Sequence, residues 1–256
     1  MRIVAVVLAG GSGQRFGAGV PKQLLQLDGK TLIEHCVAAF DQAPGVDEIL
    51  VVMPPGRTAD AEKLLAGVNG PDGPGYRKVA AVIEGGLARP DSTRQAIAAI
   101  RARLPEGEPD CGVLLHDAAR PLVDQRIIAD CVAALRDADA VGVTVPTSDT
   151  IVVASDGVMT RMPRRDSLLR CQTPQAFRLS VIARAHELAR ADPDFTATDD
   201  CGVVLRYLPG VPIRVVEGSE HNIKVTYPRD LAIAEVLLKA ADGPGPAPGI
   251  SSAAPA

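Results

Sequence analysis

Unbroken apolar runs and amphipathic stretches alternate along most of the chain. It opens with RIVAVVLAG, in which every position from Ile3 to Ala9 is apolar. A run with no polar alternation predicts a strand buried on both faces. TLIEHCVAAF then reads as a helix opened by a Thr31-x-x-Glu34 capping box. EILVVMPP is a second strand, stopped by Pro54 and Pro55, and ADAEKLLAGV the next helix. KVAAVIEGG is a third strand, followed by DSTRQAIAAIRARL, a helix that Asp91 or Ser92 would cap. CGVLLHDAARP is a fourth strand ending in polar residues, RIIADCVAALRDA its helix, and AVGVTVP a fifth strand. Strands and helices alternating at these lengths imply βαβ units and an α/β fold with a mostly parallel sheet.

The pattern then changes. TIVVASDGVMTRMPR is two short β-like runs around Asp156-Gly157, a hairpin signal. It interrupts the alternation and predicts an arm over about residues 147–171. LSVIARAHELARA resumes helical spacing, PIRVVEGS is a late strand, and Pro228 starts a last helix through DLAIAEVLLKAA. Residues 242–256, rich in Pro, Gly and Ala, read as a disordered tail, and NGPDGPG (69–75) as a surface insertion. With no repeat and no second core, the chain is expected to form one domain over residues 1–241.

Composition narrows the function. The formal net charge is −4, aromatic residues make up 3% and Trp is absent, which argues against a nucleic-acid or membrane-surface binder. No segment offers the roughly 18 apolar residues that a membrane span needs. The five cysteines (Cys36, Cys111, Cys131, Cys171, Cys201) are scattered and never spaced C-x-x-C. That excludes a disulfide framework or zinc site and fits a reducing cytoplasm. Work on a polyanion must therefore use a local cluster of Arg and Lys.

The first such cluster follows the first strand, in GGSGQRFGAGVPKQ. In open α/β sheets ligands bind at the carboxyl ends of strands. Gly10, Gly11 and Gly13 permit a close backbone approach and converging N–H groups, while Arg15 and Lys22 suit phosphate oxygens. Two familiar phosphate loops fail here. G-x-x-x-x-G-K-[ST] is absent, and G-x-G-x-x-G breaks at Phe16. No acid follows the second strand to hold a ribose, so a dinucleotide oxidoreductase is disfavoured.

Four further stretches carry polar residues to element ends: EGGLARPDST (Gly85, Gly86, Arg89, Ser92), LLHDAARP (Asp117, Arg120), MPRRDSLLRCQTPQAF (Arg164, Arg165, Thr173) and HNIKVTYPRDL (Lys224, Thr226). Each alone has a structural explanation, but several basic residues at strand ends together offset a polyphosphate. In these five motifs, in this order, the chain resembles the 2-C-methyl-D-erythritol 4-phosphate cytidylyltransferase family, from about Ile3 to Lys239. One departure is Leu87, where a polar Asp is common.

The resemblance implies a Rossmann-like, nucleotide-diphospho-sugar transferase type of fold, with helices on both faces of the sheet and a β-hairpin dimerisation arm. It implies transfer of a cytidylyl group from CTP to a polyol phosphate, with Mg2+ or another divalent cation and Asp117 as its protein ligand. Catalytic roles fall to Arg15, Lys22 and Lys224. CTP would meet Ala9, Gly10, Gly11, Ser12, Gly13, Gly85, Gly86, Ser92, Asp117 and Ala118. The acceptor would meet Arg120, Thr150, Arg165, Thr173, Thr198 and Thr226, some across a homodimer interface. Ribitol 5-phosphate cytidylyltransferases share these motifs, and a non-catalytic nucleotide-binding module is a rival from another class. Retention of both Arg15 and Lys22 speaks against the module, since binding alone does not need the full charge set.

Overall fold

The computed structural model describes residues 1–10, 21–68, 75–105, 107, 110–196 and 198–241. Thus Gly11, Ser12, Gly13 and Arg15, most of the 69–75 insertion and the 242–256 tail lie outside the described residues.

The opening run forms β1 (Ile3–Leu8), and its side chains divide by parity. Ile3, Ala5 and Val7 enter one hydrophobic cluster, whereas Val4, Val6 and Leu8 enter another. Burial of each large aliphatic side chain contributes roughly 1.5–3 kcal/mol, and a strand covered on both faces needs no polar alternation. After a short β2–β3 ladder (Gln26–Leu27, Lys30–Thr31) comes α1 (Leu32–Gln42), opened by the expected capping box. The Thr31 N–H donates to Glu34 at 2.7 Å. β4 (Glu48–Met53), α2 (Thr58–Val68), β5 (Val79–Glu84), α3 (Arg89–Arg103), β6 (Gly112–Asp117), α4 (Gln125–Ala134) and β7 (Ala140–Pro146) continue the alternation.

Helix α3 starts earlier than expected. Ala88 is its N-cap and Pro90 sits in the first turn, where its missing N–H costs nothing. Asp91 lies inside the helix and accepts from the Ala88 N–H at 3.1 Å. Ser92 Oγ is also no cap: it accepts from the Gly86 N–H at 3.3 Å.

The hairpin is β8 (Val153–Ser155) and β9 (Val158–Arg161), turned at Asp156 (φ 52°) and Gly157 (φ 78°). Then comes a strand that the hydrophobic pattern does not announce, β10 (Leu169–Arg178). It is followed by α5 (Leu179–Arg190), the likewise unannounced α6 (Asp200–Tyr207), β11 (Ile213–Glu217) and α7 (Pro228–Ala241).

The sheet runs β11-β7-β10-β6-β1-β4-β5. Only β10 opposes its neighbours, β6 and β7. α1, α2 and α4 cover one face, and α3, α5 and α6 the other. From β1 the chain steps outward to β4 and β5, then returns to place β6 on the other side of β1. Ligands bind at the strand ends beside such a switch point.

Glycine is required at the β5–α3 corner for want of space, not for its φ. A Cβ at Gly86 would lie 2.0 Å from the Asp91 Cβ, and one at Gly85 2.5 Å from Ser92 Oγ. Gly86→Ala should therefore cost roughly 1–3 kcal/mol as an overpacked site, read as a Tm several degrees lower. An unchanged melt would show that the corner relaxes freely.

Candidate active site

A cavity of about 300 Å3 opens at the switch point. Leu8, Ala9 and Gly10 reach it from the end of β1, Asp117, Ala118 and Ala119 from the end of β6, and Leu87, Arg89 and Ser92 from the β5–α3 corner. Lys22 and Gln23 come from the turn Lys22–Leu24, and Lys224 from the segment before α7. Residues about two hundred positions apart share one wall: Lys22 Nζ donates to the Val225 carbonyl at 2.8 Å.

The charge balance centres on Asp117. Lys224 Nζ donates to its Oδ2 at 2.6 Å and Arg89 Nε to its Oδ1 at 3.1 Å. Burial alone would raise this carboxyl, but the adjacent Arg89 and Lys224 outweigh it and hold it well below the usual carboxylate range. Arg89 turns a second nitrogen to Asp200 at 2.6 Å, and His186 Nε2 lies 3.0 Å from the other Asp200 oxygen. Burial would raise Asp200 too, yet Arg89 and then His186 leave it depressed. Carboxylate and guanidinium thus alternate from the cavity inward.

A second layer sets the position of Asp117. Its N–H donates to Thr173 Oγ1 at 3.1 Å, and that hydroxyl lies 3.1 Å from His116 Nδ1. His116 Nε2 is 3.0 Å from the Arg120 carbonyl. Burial is the main cause that drives the His116 pKa down, from its ordinary 6.5 to about 4, so the ring is a neutral strut. Asn222, fully buried, donates to the Thr173 carbonyl at 2.9 Å.

The residues expected from the motifs therefore separate. Ala9, Gly10, Lys22, Ser92, Asp117, Ala118 and Lys224 converge on the cavity, with Gly85 and Gly86 bonded to Ser92 or packed against it at its edge. The Ala118 N–H is already engaged by the Leu8 carbonyl at 3.0 Å. Thr226 flanks the cavity, donating to the Lys224 carbonyl at 3.1 Å. Thr173 and Arg120, placed on the acceptor by the resemblance, work inside the protein. Thr173 is 4% exposed, and Arg120 donates to the Asn222 carbonyl at 2.6 Å and the Cys171 carbonyl at 3.2 Å. Thr198 is exposed just before α6. Arg165 donates to Thr150 at 3.1 Å beside a separate open recess near the hairpin.

Four participants are not among the ligand residues that the resemblance implies: Arg89, Gln23, Asp200 and His186. Arg89 stands in the quoted EGGLARPDST and Gln23 directly follows Lys22, so position alone hinted at them. Nothing local distinguishes Asp200 or His186, because their roles arise from pairing between helices, of α6 with α5 and with Arg89 of α3.

For a divalent cation, Asp117 is the single carboxylate among the described residues that line the cavity. No group of three or more His, Cys, Asp or Glu among the described residues could hold a metal alone. Its two oxygens keep free lone pairs beside their cationic partners, so the residues fit an ion carried largely by phosphates and water.

A switch-point cavity collecting cations from separated elements suits the phosphate chemistry of a nucleotidyltransferase. The chain belongs to the 2-C-methyl-D-erythritol 4-phosphate cytidylyltransferase family, whose model matches residues 3–240. A relative of that name from Thermobifida fusca is 51% identical over 243 residues, covering 93% of this chain and 94% of the relative. One from Geotalea uraniireducens is 38% identical, covering 93% and 97%. A bifunctional ribulose 5-phosphate reductase/CDP-ribitol pyrophosphorylase from Haemophilus influenzae is 36% identical over 92% of this chain and 48% of its own length. Among solved structures, the family enzyme of Thermus thermophilus gives a TM-score of 0.68 at 30% identity, covering 91% and 98%. The 4-diphosphocytidyl-2C-methyl-D-erythritol synthase of Anaerococcus prevotii gives 0.77 at 25%, covering 93% and 96%.

The depressed groups fix the sign of the pH dependence. His116, Asp117 and Asp200 each bind a proton less readily in the folded than in the unfolded chain, so acidification favours unfolding. Stability should hold above pH 6.5, fall between 6.5 and about 4 as the unfolded chain protonates the histidine, and fall again below 3.8 as the two aspartates are lost. Chemical denaturation across this range tests it. His116→Asn should be less stable at pH 7 and lack the first decline; a wild-type curve flat from 6.5 to 4 would refute the assignment.

Proposed function

We propose that the chain transfers a cytidylyl group from CTP to 2-C-methyl-D-erythritol 4-phosphate, releasing pyrophosphate. The observation that carries this reading is the convergence of Lys22, Lys224, Arg89 and Asp117 on one cavity at the switch point, in a chain of this family.

An oxygen of the acceptor phosphate attacks the α-phosphorus. The bond to the bridging oxygen of the β-phosphate breaks, and its electron pair leaves with pyrophosphate. Catalysis then rests on positioning and charge neutralisation, with no covalent enzyme intermediate. Lys22 and Lys224, with Arg15 from the 11–20 segment, balance the charge on the α-phosphoryl and departing pyrophosphate. Gly10, Gly11, Ser12 and Gly13 cradle the phosphates, while Gly86 and Ser92 meet the base. Asp117 orients the Lys224 ammonium through their 2.6 Å contact. It is also the protein ligand for Mg2+ or another divalent cation, which supplies further neutralisation of the phosphates.

The hairpin region supports a homodimer. Val158, Met159 and Met162 are 64%, 67% and 62% exposed, an apolar surface that a second copy would bury. In that dimer Arg165 and Thr150, at its base, would meet the acceptor phosphate across the interface. No helix among the described residues is long and apolar enough to cross a membrane, and we place the reaction in the cytoplasm. The Haemophilus relative favours a second acceptor, ribitol 5-phosphate.

Pyrophosphate release from CTP and Mg2+, assayed with both polyol phosphates in parallel, decides between them. Methylerythritol phosphate should be favoured by at least tenfold in kcat/KM; faster turnover of ribitol phosphate would replace the reading, and no release with either would end it. Lys22→Ala should lower kcat by roughly 10²–10³-fold in a protein that still melts cooperatively. On the acceptor side, Arg165→Ala should raise KM for the polyol phosphate more than tenfold with the CTP KM unchanged. Met159→Asp should shift the protein to monomer in light scattering; equal substrate effects or an intact dimer would contradict the arm's role.

A further inference from the structure

We infer that Gln23 and Arg89 are two further ligand-binding residues of the cavity, each holding an unpaired N–H donor ready for a phosphate oxygen. The inference rests on the cytidylyltransferase reading and extends it to two residues of the motif stretches that the resemblance does not assign to a ligand.

Gln23 is 2% exposed and lines the cavity, yet its Nε2 finds no hydrogen-bond acceptor among the described residues. Arg89 lines the same cavity. Its Nε is taken by Asp117 and one terminal nitrogen by Asp200, but the other, Nη2, is buried without a partner among the described residues. Buried polar groups are nearly always paired, and an unpaired donor is destabilising. Other unpartnered buried side-chain atoms among the described residues belong to Thr93, Arg120, His186 and Asn222, none of which lines the cavity. The two that do line it are both nitrogen donors.

The lining leaves them unrelieved. Asp117, the one carboxylate among the described lining residues, accepts from Arg89 Nε and Lys224 Nζ and from neither idle nitrogen. The missing partner must bring acceptors of its own. A phosphate presents non-bridging oxygens that accept and never donate when ionised, which matches two idle donors. Arg89 is also pre-aimed: Asp117 and Asp200 fix its guanidinium plane, and Asp200 is itself 1% exposed. The oxygen could come from the CTP triphosphate or from the acceptor phosphate.

Gln23→Met keeps the side chain's length and removes the idle amide. Three quantities are read: Tm without ligand, CTP affinity by calorimetry with Mg2+ and no acceptor, and KM for the polyol phosphate. Tm should be unchanged or higher, because nothing paired is lost. Affinity should fall at least tenfold in the CTP arm or in the acceptor arm, and the arm affected identifies the phosphate. Gln23→Glu, nearly the same shape with an acceptor in place of the donor, should lose more in that same arm. Arg89→Lys retains the cation but not the third directed N–H, and should also bind at least tenfold more weakly. A lower Tm with both affinities intact would make Gln23 structural and overturn the inference, as would variants indistinguishable from wild type. A wild-type protein that binds no CTP would fail the underlying reading instead, and the inference with it.

Discussion

The buried Asp117 carboxylate makes this cavity possible. Arg89, Lys224 and Lys22 could not be collected at one sheet edge on their own, since like charges in a partly desolvated cleft repel strongly. Asp117, at the last position of β6, accepts from two of them and so lets positive charge accumulate where a polyphosphate can use it. Its own ionisation depends on those partners, because burial pushes the other way. Carboxylate and cations are stable there only together.

The reversed strand β10 holds that carboxylate in place. Running against β6 and β7, it puts Thr173 under the Asp117 N–H and against His116. Arg120 and Asn222 then tie this layer to the segment leading to Lys224. Thr173 and Arg120 thereby bond within the protein, because the same hydroxyl and guanidinium chemistry that suits a phosphate also suits main-chain groups. Gln23 and Arg89, whose idle donors line the cavity, mark where an external partner is required.

Function and stability also pull apart at the hairpin. Val158, Met159 and Met162 stand in water, where a subunit lacking a partner gains nothing from them. Within the sheet the same residue types would each be worth roughly 1.5–3 kcal/mol. A second copy would recover that energy and bring Arg165 to an interface.

Much of the architecture is legible in one dimension because its cause is local. Parallel strands covered on both faces read as unbroken apolar runs, as in Ile3–Leu8; the Thr31–Glu34 capping box spans a single turn; and Asp156-Gly157 turns within the hairpin itself. β10 escaped because its buried Gln172, Thr173 and Gln175 are polar, and polarity is tolerated there only through bonds to distant residues. The chain by itself therefore determined the α/β alternation, the family and the kinds of charge available for a phosphate. Only the tertiary structure decided which charges meet. Arg89 and Asp200 are separated by 111 positions and Lys224 and Asp117 by 107, and such pairings follow from strand order, which no local pattern encodes.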